Sequence, residues 1–303
     1  MVWDFESLSE YLLASGAERD VPLSELTSFR VGGNAAFVLR PKSYEMIRTV
    51  TEACKAAAYP FTLLGRGTNM LASDSGYNGL VIRFDTPLHA PVYEGFRITV
   101  CCGTPLMQLA RETIQNGFSG MERIAGIPGT VGGACAMNAG AYGAEIKQIL
   151  KRIRILKDGA DVWADVKDED FGYRTSAFAF PQTIALEAEF ELSKDDGSAA
   201  QVMRECMEKR RDKQPLELPS AGSTFKRPEG HFAGALIEQC GLKGYSIGGA
   251  QVSEKHAGFV VNTGNATERD ISELIRYVQS TVLEQTGVQL ECEIKRIGER
   301  SFE

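Results

Sequence analysis

Leu64-Gly65-Arg66-Gly67-Thr68-Asn69-Met70-Leu71 is the first of two glycine-rich loops in this chain of 303 residues. The second, further along, is Gly126-Ile127-Pro128-Gly129-Thr130-Val131-Gly132-Gly133. Glycine adopts positive φ angles and lets a ligand approach the backbone closely, and runs of backbone N–H groups form concave sites for anions such as phosphate. The two loops together predict a cradle for a large phosphorylated cofactor, although two ordinary tight turns would also account for them.

Neither loop matches the common phosphate-binding motifs. In the dinucleotide fingerprint of a Rossmann unit, a third glycine would stand where this chain has Met70. A Walker loop would close on Gly-Lys-Ser/Thr, which neither loop does. The loops therefore predict neither of these two folds.

Size and composition indicate a globular protein with two or three subdomains, since 303 residues exceed the usual size of a single core. The net charge of −7 argues against a nucleic acid as partner. The sequence has no apolar run of membrane-spanning length, and Met1-Val2-Trp3-Asp4-Phe5-Glu6 lacks the features of a signal peptide. We expect a cytoplasmic protein with no membrane partner.

The cysteine and histidine content predicts neither a zinc site nor a disulfide framework. Seven cysteines occur without a CxxC pair, and the three histidines are His89, His231 and His256. Buried free thiols and no bound metal are expected.

Apolar periodicity and turn residues predict alternating helices and strands. Helices are predicted at 43–58, 104–116, 199–212, 233–240 and 267–285, and strands at 61–64, 80–84, 97–102, 149–156, 184–192, 256–262 and 290–297. Thr267-x-x-Asp270 resembles a capping box. The polar segment 193–198 is the clearest linker.

Ser223 stands in a turn close to Lys226 and Arg227. A hydroxyl held by cations can donate a proton, but a turn or cap role fits this serine equally. The chain has no Gly-x-Ser-x-Gly elbow and no evident Ser/His/Asp arrangement, so serine hydrolysis is not supported.

Two further candidates are ambiguous when taken singly. Strand alternation places Glu291, Glu293 and Lys295 on one face, which is also typical of a solvated surface. Arg174 is likewise consistent with a surface residue. The basic cluster Lys209, Arg210, Arg211, Lys213, Lys226 and Arg227 suits either cations near a helix C-terminus or an anionic ligand.

The order of these motifs resembles the UDP-N-acetylenolpyruvoylglucosamine reductase family, flavoenzymes of bacterial cell-wall precursor synthesis. The matching blocks cover nearly the whole chain, at 27–33, 65–71, 127–143, 173–176, 213–215, 219–228, 250–262 and 290–294. Only a short stretch separates Arg174 from the linker, as in the shorter second variant of the family, so no additional substrate-clasping tyrosine is assigned.

The resemblance implies an α+β fold. A two-lobed FAD-binding domain of the vanillyl-alcohol-oxidase type would occupy 1–85 and 86–196, and a C-terminal α/β substrate-binding domain 197–303. It implies non-covalent FAD, because no histidine adjoins either loop, with the diphosphate on 65–69 and the flavin nearer 127–133 and 138–140. The implied cofactor-binding residues are Gly65, Arg66, Gly67, Thr68, Asn69, Met70, Ile127, Pro128, Gly129, Thr130, Gly132, Gly133, Asn138, Ala139 and Gly140.

The implied reaction reduces the enolpyruvyl ether of UDP-N-acetylglucosamine to the lactyl ether of UDP-N-acetylmuramate, with NADPH as the hydride donor to FAD. By resemblance, Arg174 and Glu293 stabilise an enolate-like species and Ser223 donates the completing proton. Glu293 would have to be protonated or share a proton. Lys213 and Lys226 would hold the anionic groups of the UDP-sugar, whereas Arg210 and Arg211 fit a solvated cluster better. No obligate protein partner is expected.

Two other functions remain open. One is an oxygen-using alcohol or sugar oxidase on the same flavin scaffold, which would have no reason to carry the 221–228 and 290–294 segments. The other is a non-catalytic nucleotide-binding protein, which would have no need of Arg174, Ser223 and Glu293.

Overall fold

The computed structural model describes residues 4–298 of the chain. These residues form seven α-helices and twenty strands, most of them short. Within that range the helices are α1 Phe5–Ala14, α2 Tyr44–Ala56, α3 Leu106–Gln115, α4 Val131–Ala136, α5 Ala199–Lys213, α6 Ala233–Gln239 and α7 Glu268–Thr286. The strands are β1 Glu18–Pro22, β2 Asn34–Leu39, β3 Phe61–Leu64, β4 Met70–Ala72, β5 Tyr77–Arg83, β6 Val92–Glu94, β7 Arg97–Cys101, β8 Phe118–Ser119, β9 Gly140–Ala141, β10 Ala144–Glu145, β11 Leu150–Lys157, β12 Ala160–Asp165, β13 Phe171–Gly172, β14 Thr175–Ser176, β15 Ile184–Glu191, β16 Ser193–Lys194, β17 Ser246–Ile247, β18 Ala250–Val252, β19 Val260–Asn262 and β20 Lys295–Ile297.

These elements form two compact units, each built from separate stretches of sequence. The first unit comprises 4–18, 37–66 and 79–210, and the second comprises 19–36, 67–78 and 211–298. The boundaries between the units fall inside strands β1, β2 and β5 and inside helix α5. Because the units are discontinuous, whereas the domains expected from sequence are continuous, the functional division of the chain remains a prediction.

The first unit has an antiparallel five-stranded sheet of order β12-β11-β15-β7-β6. Its core face carries alternating apolar residues such as Ile98 and Val100 of β7, which are fully buried with Leu106 and Leu109 of α3. Strand β3 also pairs in parallel with β5 in this unit and leads directly into the first glycine loop.

The second unit packs α7 against the antiparallel strands β17-β18-β19. The buried residues of α7 recur at helical spacing: Ile271, Leu274, Ile275, Val278 and Val282. The predicted capping box is confirmed, because the Thr267 hydroxyl accepts from the Asp270 N–H at 3.0 Å and the Asp270 carboxylate accepts from the Thr267 N–H at 3.0 Å. In this unit β20 pairs in parallel with β4, with Lys295 opposite Met70.

Most predicted elements occur within a few residues of their expected bounds, but two strands are shorter. The strand predicted at 290–297 is regular only from Lys295, because the backbone before it pairs with the Ser223 turn instead. The strand predicted at 256–262 starts at Val260, because a turn closes between the His256 carbonyl and the Phe259 N–H. The predicted ranges omit helices α1 and α4, the six-residue strands β2 and β12, and most of the shorter strands.

Two predictions about single segments also need correction. The helix predicted to start at Thr104 begins at Leu106, with Pro105 as its N-cap, and the Thr104 hydroxyl is buried without a hydrogen-bond partner among the described residues. The linker at 193–198 begins with β16, where Ser193 pairs with Ser119 of β8.

The remaining expectations concern targeting, membranes and cysteines. Met1–Trp3, on which part of the signal-peptide prediction rests, lie outside the described residues. Among residues 4–298, no helix has both the length and the apolarity that crossing a bilayer requires. Five of the seven cysteines are buried and the other two, Cys240 and Cys292, are partly buried.

Candidate active site

The first glycine loop follows β3 and requires glycine at two positions. Gly67 has a φ of 65°, and a Cβ atom there would lie 2.2 Å from the carbonyl oxygen of Leu26. A Cβ at Gly65 would lie 2.6 Å from Oγ1 of Thr130, so this glycine permits close packing against the second glycine loop.

Several backbone N–H groups of this loop have no acceptor within the described protein. Within the described part of the chain, the N–H groups of Gly65, Arg66, Gly67 and Thr68 donate no hydrogen bond to a protein acceptor. Successive N–H groups of this kind are suited to phosphate oxygens. The placement of an FAD diphosphate on residues 65–69 stays a prediction.

The second glycine loop is fixed by its neighbours. The Thr130 hydroxyl caps α4 by accepting from the Gly133 N–H at 3.1 Å, and the Gly132 N–H donates to the carbonyl of Cys102 at 2.8 Å. Arg210 was expected in a solvated cluster, but it is half-buried and its guanidinium donates to the carbonyl of Gly126. Burial lowers the pKa of Arg210.

Asn138 connects the segment after this loop to the Arg174 turn. Its side-chain amide donates to the Glu145 carboxylate at 3.0 Å and to the Gly172 carbonyl at 3.3 Å, while its Oδ1 accepts from the Lys147 N–H at 3.2 Å. The Asn138 side chain is 2% exposed, and its hydrogen bonds link the segment after the second glycine loop to the turn that carries Arg174. A role for Asn138 toward flavin stays a prediction.

Arg174 occupies the two-residue turn between β13 and β14. Its φ of 58° lies in the left-handed region that non-glycine residues rarely adopt. The guanidinium lies over the Tyr173 ring, 4.8 Å from its centroid, and donates to the Gly140 carbonyl at 3.3 Å. The structure thus brings Arg174 together with one of the expected flavin-binding residues.

In the second unit, the Ser223 turn lies beside Glu293. Ser223 is exposed, and the next residue, Thr224, is fully buried. The Thr224 N–H donates to Gly258 at 2.8 Å, and its carbonyl accepts from the Glu293 N–H at 2.9 Å. The expected proton donor and the expected carboxyl are therefore carried by backbone segments that are hydrogen-bonded to each other.

Asn69, at the end of the first glycine loop, also contacts the Glu293 segment. Its side-chain amide donates to the Glu293 carbonyl at 3.2 Å, and its own carbonyl accepts from the Lys295 N–H at 3.0 Å. Next to Glu293, burial raises the pKa of the Cys292 thiol to about 11, so the thiol is neutral at physiological pH.

The two expected substrate lysines differ in their surroundings. Lys226 forms an ion pair with Glu291, and the Lys226 N–H also donates to the Glu291 carbonyl at 2.8 Å. Lys213 is exposed at the end of α5. It lies close enough to His256 to influence it: burial lowers the pKa of His256, and the charges of Lys243 and Lys213 lower it further.

Sequence reasoning missed Glu291, the partner of Lys226. Their opposite charges were visible in the sequence, but nothing in a single sequence indicates that the Ser223 turn pairs with the segment before β20. Arg174 belongs to the first unit, and Ser223 and Glu293 belong to the second. Their convergence as a catalytic triad therefore stays a prediction.

Two family models match the chain. The FAD binding domain matches residues 35–163, which include both glycine loops, and the UDP-N-acetylenolpyruvoylglucosamine reductase C-terminal domain matches residues 214–297. The UDP-N-acetylenolpyruvoylglucosamine reductase of Clostridium botulinum (strain Hall) is 44% identical over 285 residues, covering 93% of this chain and 92% of the relative. The chain belongs to the UDP-N-acetylenolpyruvoylglucosamine reductase family.

Other members of the UDP-N-acetylenolpyruvoylglucosamine reductase family agree with this assignment. The reductase of Caldanaerobacter subterraneus is 41% identical, covering 97% of this chain and 98% of the relative. The crystal structure of the reductase from Thermus caldophilus superposes with a TM-score of 0.78 at 34% identity, covering 92% of this chain and 98% of that one. The predicted family and the α+β fold with an FAD-binding domain are confirmed.

Proposed function

We propose that this protein is an FAD-containing UDP-N-acetylenolpyruvoylglucosamine reductase that takes hydride from NADPH. On this proposal it reduces the enolpyruvyl ether of UDP-N-acetylglucosamine to UDP-N-acetylmuramate, a precursor of peptidoglycan. The observation that carries the proposal is the likeness to named reductases over 93% of the chain. The pairing of the Ser223 turn with the Glu293 segment, beside Asn69, supports it.

FAD, when bound, supplies the hydride chemistry; the chain supplies binding and polar groups. Residues 65–69 would hold its diphosphate through backbone N–H groups, and residues 127–133 and 138–140 would lie nearer the flavin ring. Residues 1–85 and 86–196 would act as the FAD-binding lobes and 197–303 as the substrate-binding domain. We place the reaction in the cytoplasm, where UDP-activated sugars and NADPH are made.

Three side chains would act on the substrate. Arg174 would face the negative charge that grows on the carbon and carboxylate next to the attacked carbon; a fixed cation aimed at developing charge lowers the barrier. Glu293, protonated or sharing a proton, would stabilise the same enolate-like species. Ser223, whose side chain is exposed, would donate the proton that completes the addition.

Lys226 and Lys213 would bind the anionic groups of the UDP-sugar. Because Lys226 already pairs with Glu291, an anionic group of the substrate would either displace the Glu291 carboxylate from Lys226 or bind Lys226 alongside it. Glu291 is well exposed, so releasing it to water leaves no buried charge.

Anaerobic stopped-flow absorbance tests this function. Protein loaded with FAD is expected to bleach on mixing with NADPH, and its flavin colour should return on adding the enolpyruvyl nucleotide. If the colour returns with oxygen but not with the nucleotide, the protein is an oxidase and the proposal is wrong. Protein that takes up no flavin would indicate a non-catalytic relative.

A further inference from the structure

Glu293 is held on both sides of its α-carbon by hydrogen bonds within the second unit. Its N–H donates to the Thr224 carbonyl at 2.9 Å, and its carbonyl accepts from the Asn69 side chain at 3.2 Å. These bonds fix the two peptide planes that flank the residue. Since φ and ψ are the rotations between those planes, the two bonds determine the direction of the Glu293 Cα–Cβ bond.

The contact between the Asn69 side chain and Glu293 joins residues 224 positions apart in the sequence, and the backbone carbonyl of Asn69 is also hydrogen-bonded to this segment. The Asn69 carbonyl accepts from the Lys295 N–H at 3.0 Å, after which β4 and β20 run in parallel. Glu293 itself lies just before this regular pairing begins. Its carbonyl is therefore held by a side chain where regular strand pairing has not yet begun.

We propose that Asn69 is a positioning residue that aims the Glu293 carboxyl. This inference rests on the proposed function and extends it, since the loop that would hold the FAD diphosphate also orients the carboxyl that acts on substrate. Cofactor binding at residues 65–69 and the geometry of Glu293 are then coupled. Removing the Asn69 amide therefore slows reoxidation of the flavin by the enolpyruvyl nucleotide, which needs Glu293, more than reduction of the flavin by NADPH, which does not.

The two half-reactions of FAD-loaded protein separate these effects. With FAD in excess, Asn69→Ala is expected to slow reoxidation by the enolpyruvyl nucleotide roughly tenfold or more, because small displacements of a catalytic group are costly. Reduction by NADPH, measured on protein saturated with FAD, should slow much less than reoxidation does. Combined with Glu293→Gln, the same change should have little additional effect, since residues that act through one another are non-additive. Asn69→Ser, whose hydroxyl is too short to reach the carbonyl, is a milder second variant.

Hydrogen–deuterium exchange of the FAD-loaded chain gives a readout that needs no turnover. Exchange of the Glu293 amide should accelerate several-fold in Asn69→Ala and Asn69→Ser, because loss of the Asn69 contact lets the segment open more often even though the bond from this N–H to Thr224 is retained. Thr68→Ala is the matched control in the same loop. Among the described residues Thr68 makes no hydrogen bond to Glu293, so the effect of Thr68→Ala should add to that of Glu293→Gln and leave this amide unchanged.

Two results would overturn the proposal. One is an equal slowing of both half-reactions that excess FAD restores, which would limit Asn69 to cofactor binding. The other is full additivity with Glu293→Gln and unchanged exchange at Glu293. If the parent protein is not reoxidised by the nucleotide, the proposed function fails instead, and the exchange experiment still tests whether Asn69 holds Glu293.

Discussion

At the scale of single residues, Arg174 combines an unfavourable backbone with a proposed catalytic role. A left-handed conformation costs a non-glycine residue roughly 1–2 kcal/mol, and the hairpin turn imposes it here. Selection for stability would favour glycine at such a turn. An arginine there is explained if its guanidinium, held over Tyr173 and against Gly140, is needed for function.

Replacing Arg174 with glycine should therefore separate stability from activity. We expect the free energy of unfolding to stay within about 1 kcal/mol, because relief of the backbone offsets the lost cation–π contact. The value of kcat should fall by roughly 10²–10³, the usual cost of removing a group that stabilises developing charge. Urea unfolding and steady-state kinetics measure the two effects.

Asp158→Gly is the matched control. Asp158 also has a positive φ, of 50°, in the turn between β11 and β12. It should show the same backbone relief with unchanged kcat. A normal kcat in Arg174→Gly would contradict the role proposed for this arginine.

His256 predicts a pH dependence of stability. Burial, aided by Lys243 and Lys213, lowers its pKa from the ordinary value of 6.5, and Nδ1 accepts from the Gly258 N–H at 3.1 Å, so the ring is neutral in the fold. The unfolded chain then binds more protons than the native one around and below pH 6.5. This contribution is fully present above that pH and is lost as the pH falls through the lowered pKa.

His256→Asn should remove this dependence. We expect the unfolding free energy of the parent protein to decrease more between pH 7.5 and pH 5.5 than that of the variant. Urea titrations at both pH values measure the difference. Equal decreases in the parent protein and the variant would mean that His256 is not the titrating group. A substitution at Glu238, an exposed residue near His256, is the control and should leave the pH dependence in place.

At the scale of elements, α7 is capped from two directions. Its own capping box uses Thr267 and Asp270, while the Asp74 carboxylate accepts from the Glu268 and Arg269 N–H groups at 2.9 and 3.2 Å. Such a carboxylate satisfies first-turn donors and complements the helix dipole.

Asp74→Ala should therefore lower the free energy of unfolding by about 1 kcal/mol, the typical effect of losing a cap. Glu284→Ala, at an exposed position on the same helix, should change it by less than about 0.5 kcal/mol. Urea unfolding of both variants tests this. Equal effects would show that Asp74 contributes no capping.

The long amphipathic elements were predictable, and the short ones were not. The spacing of Ile271, Leu274 and Val278 in α7 is a local signal that burial confirms. The pairing of the Ser223 turn with Glu293 depends on partners far apart in sequence, and its bridge is too short to leave a periodic pattern. Likewise, the helix predicted to start at Thr104 begins only at Leu106, after Pro105.

At the scale of the whole molecule, FAD should stabilise the fold. A ligand at a hundred times its dissociation constant raises the unfolding free energy by about 2.7 kcal/mol if it binds only the native state. We expect FAD to raise the melting temperature, and riboflavin, which lacks the diphosphate, to raise it much less. Differential scanning calorimetry measures both, and equal shifts would argue against diphosphate binding by residues 65–69.

The family resemblance predicted the overall fold because its motifs recur in order along the chain. The resemblance did not predict which of these residues form hydrogen bonds within the protein. Asn138 shows the difference, since all three of its side-chain hydrogen bonds go to protein atoms. The glycine-rich motif predicted positive φ angles and close backbone contacts, and Gly67 shows both.

The parallel pairing of β4 with β20 has a consequence for biosynthesis. Met70 leaves the ribosome long before Lys295 is made, and at 5–20 residues per second the delay is roughly 10–50 s. During that interval the nascent β4 strand has an unpaired edge, which is a site for association with other chains. A chaperone that shields early polypeptide should therefore raise the yield of this protein, and a truncated transcript ending before Lys295 should yield insoluble product.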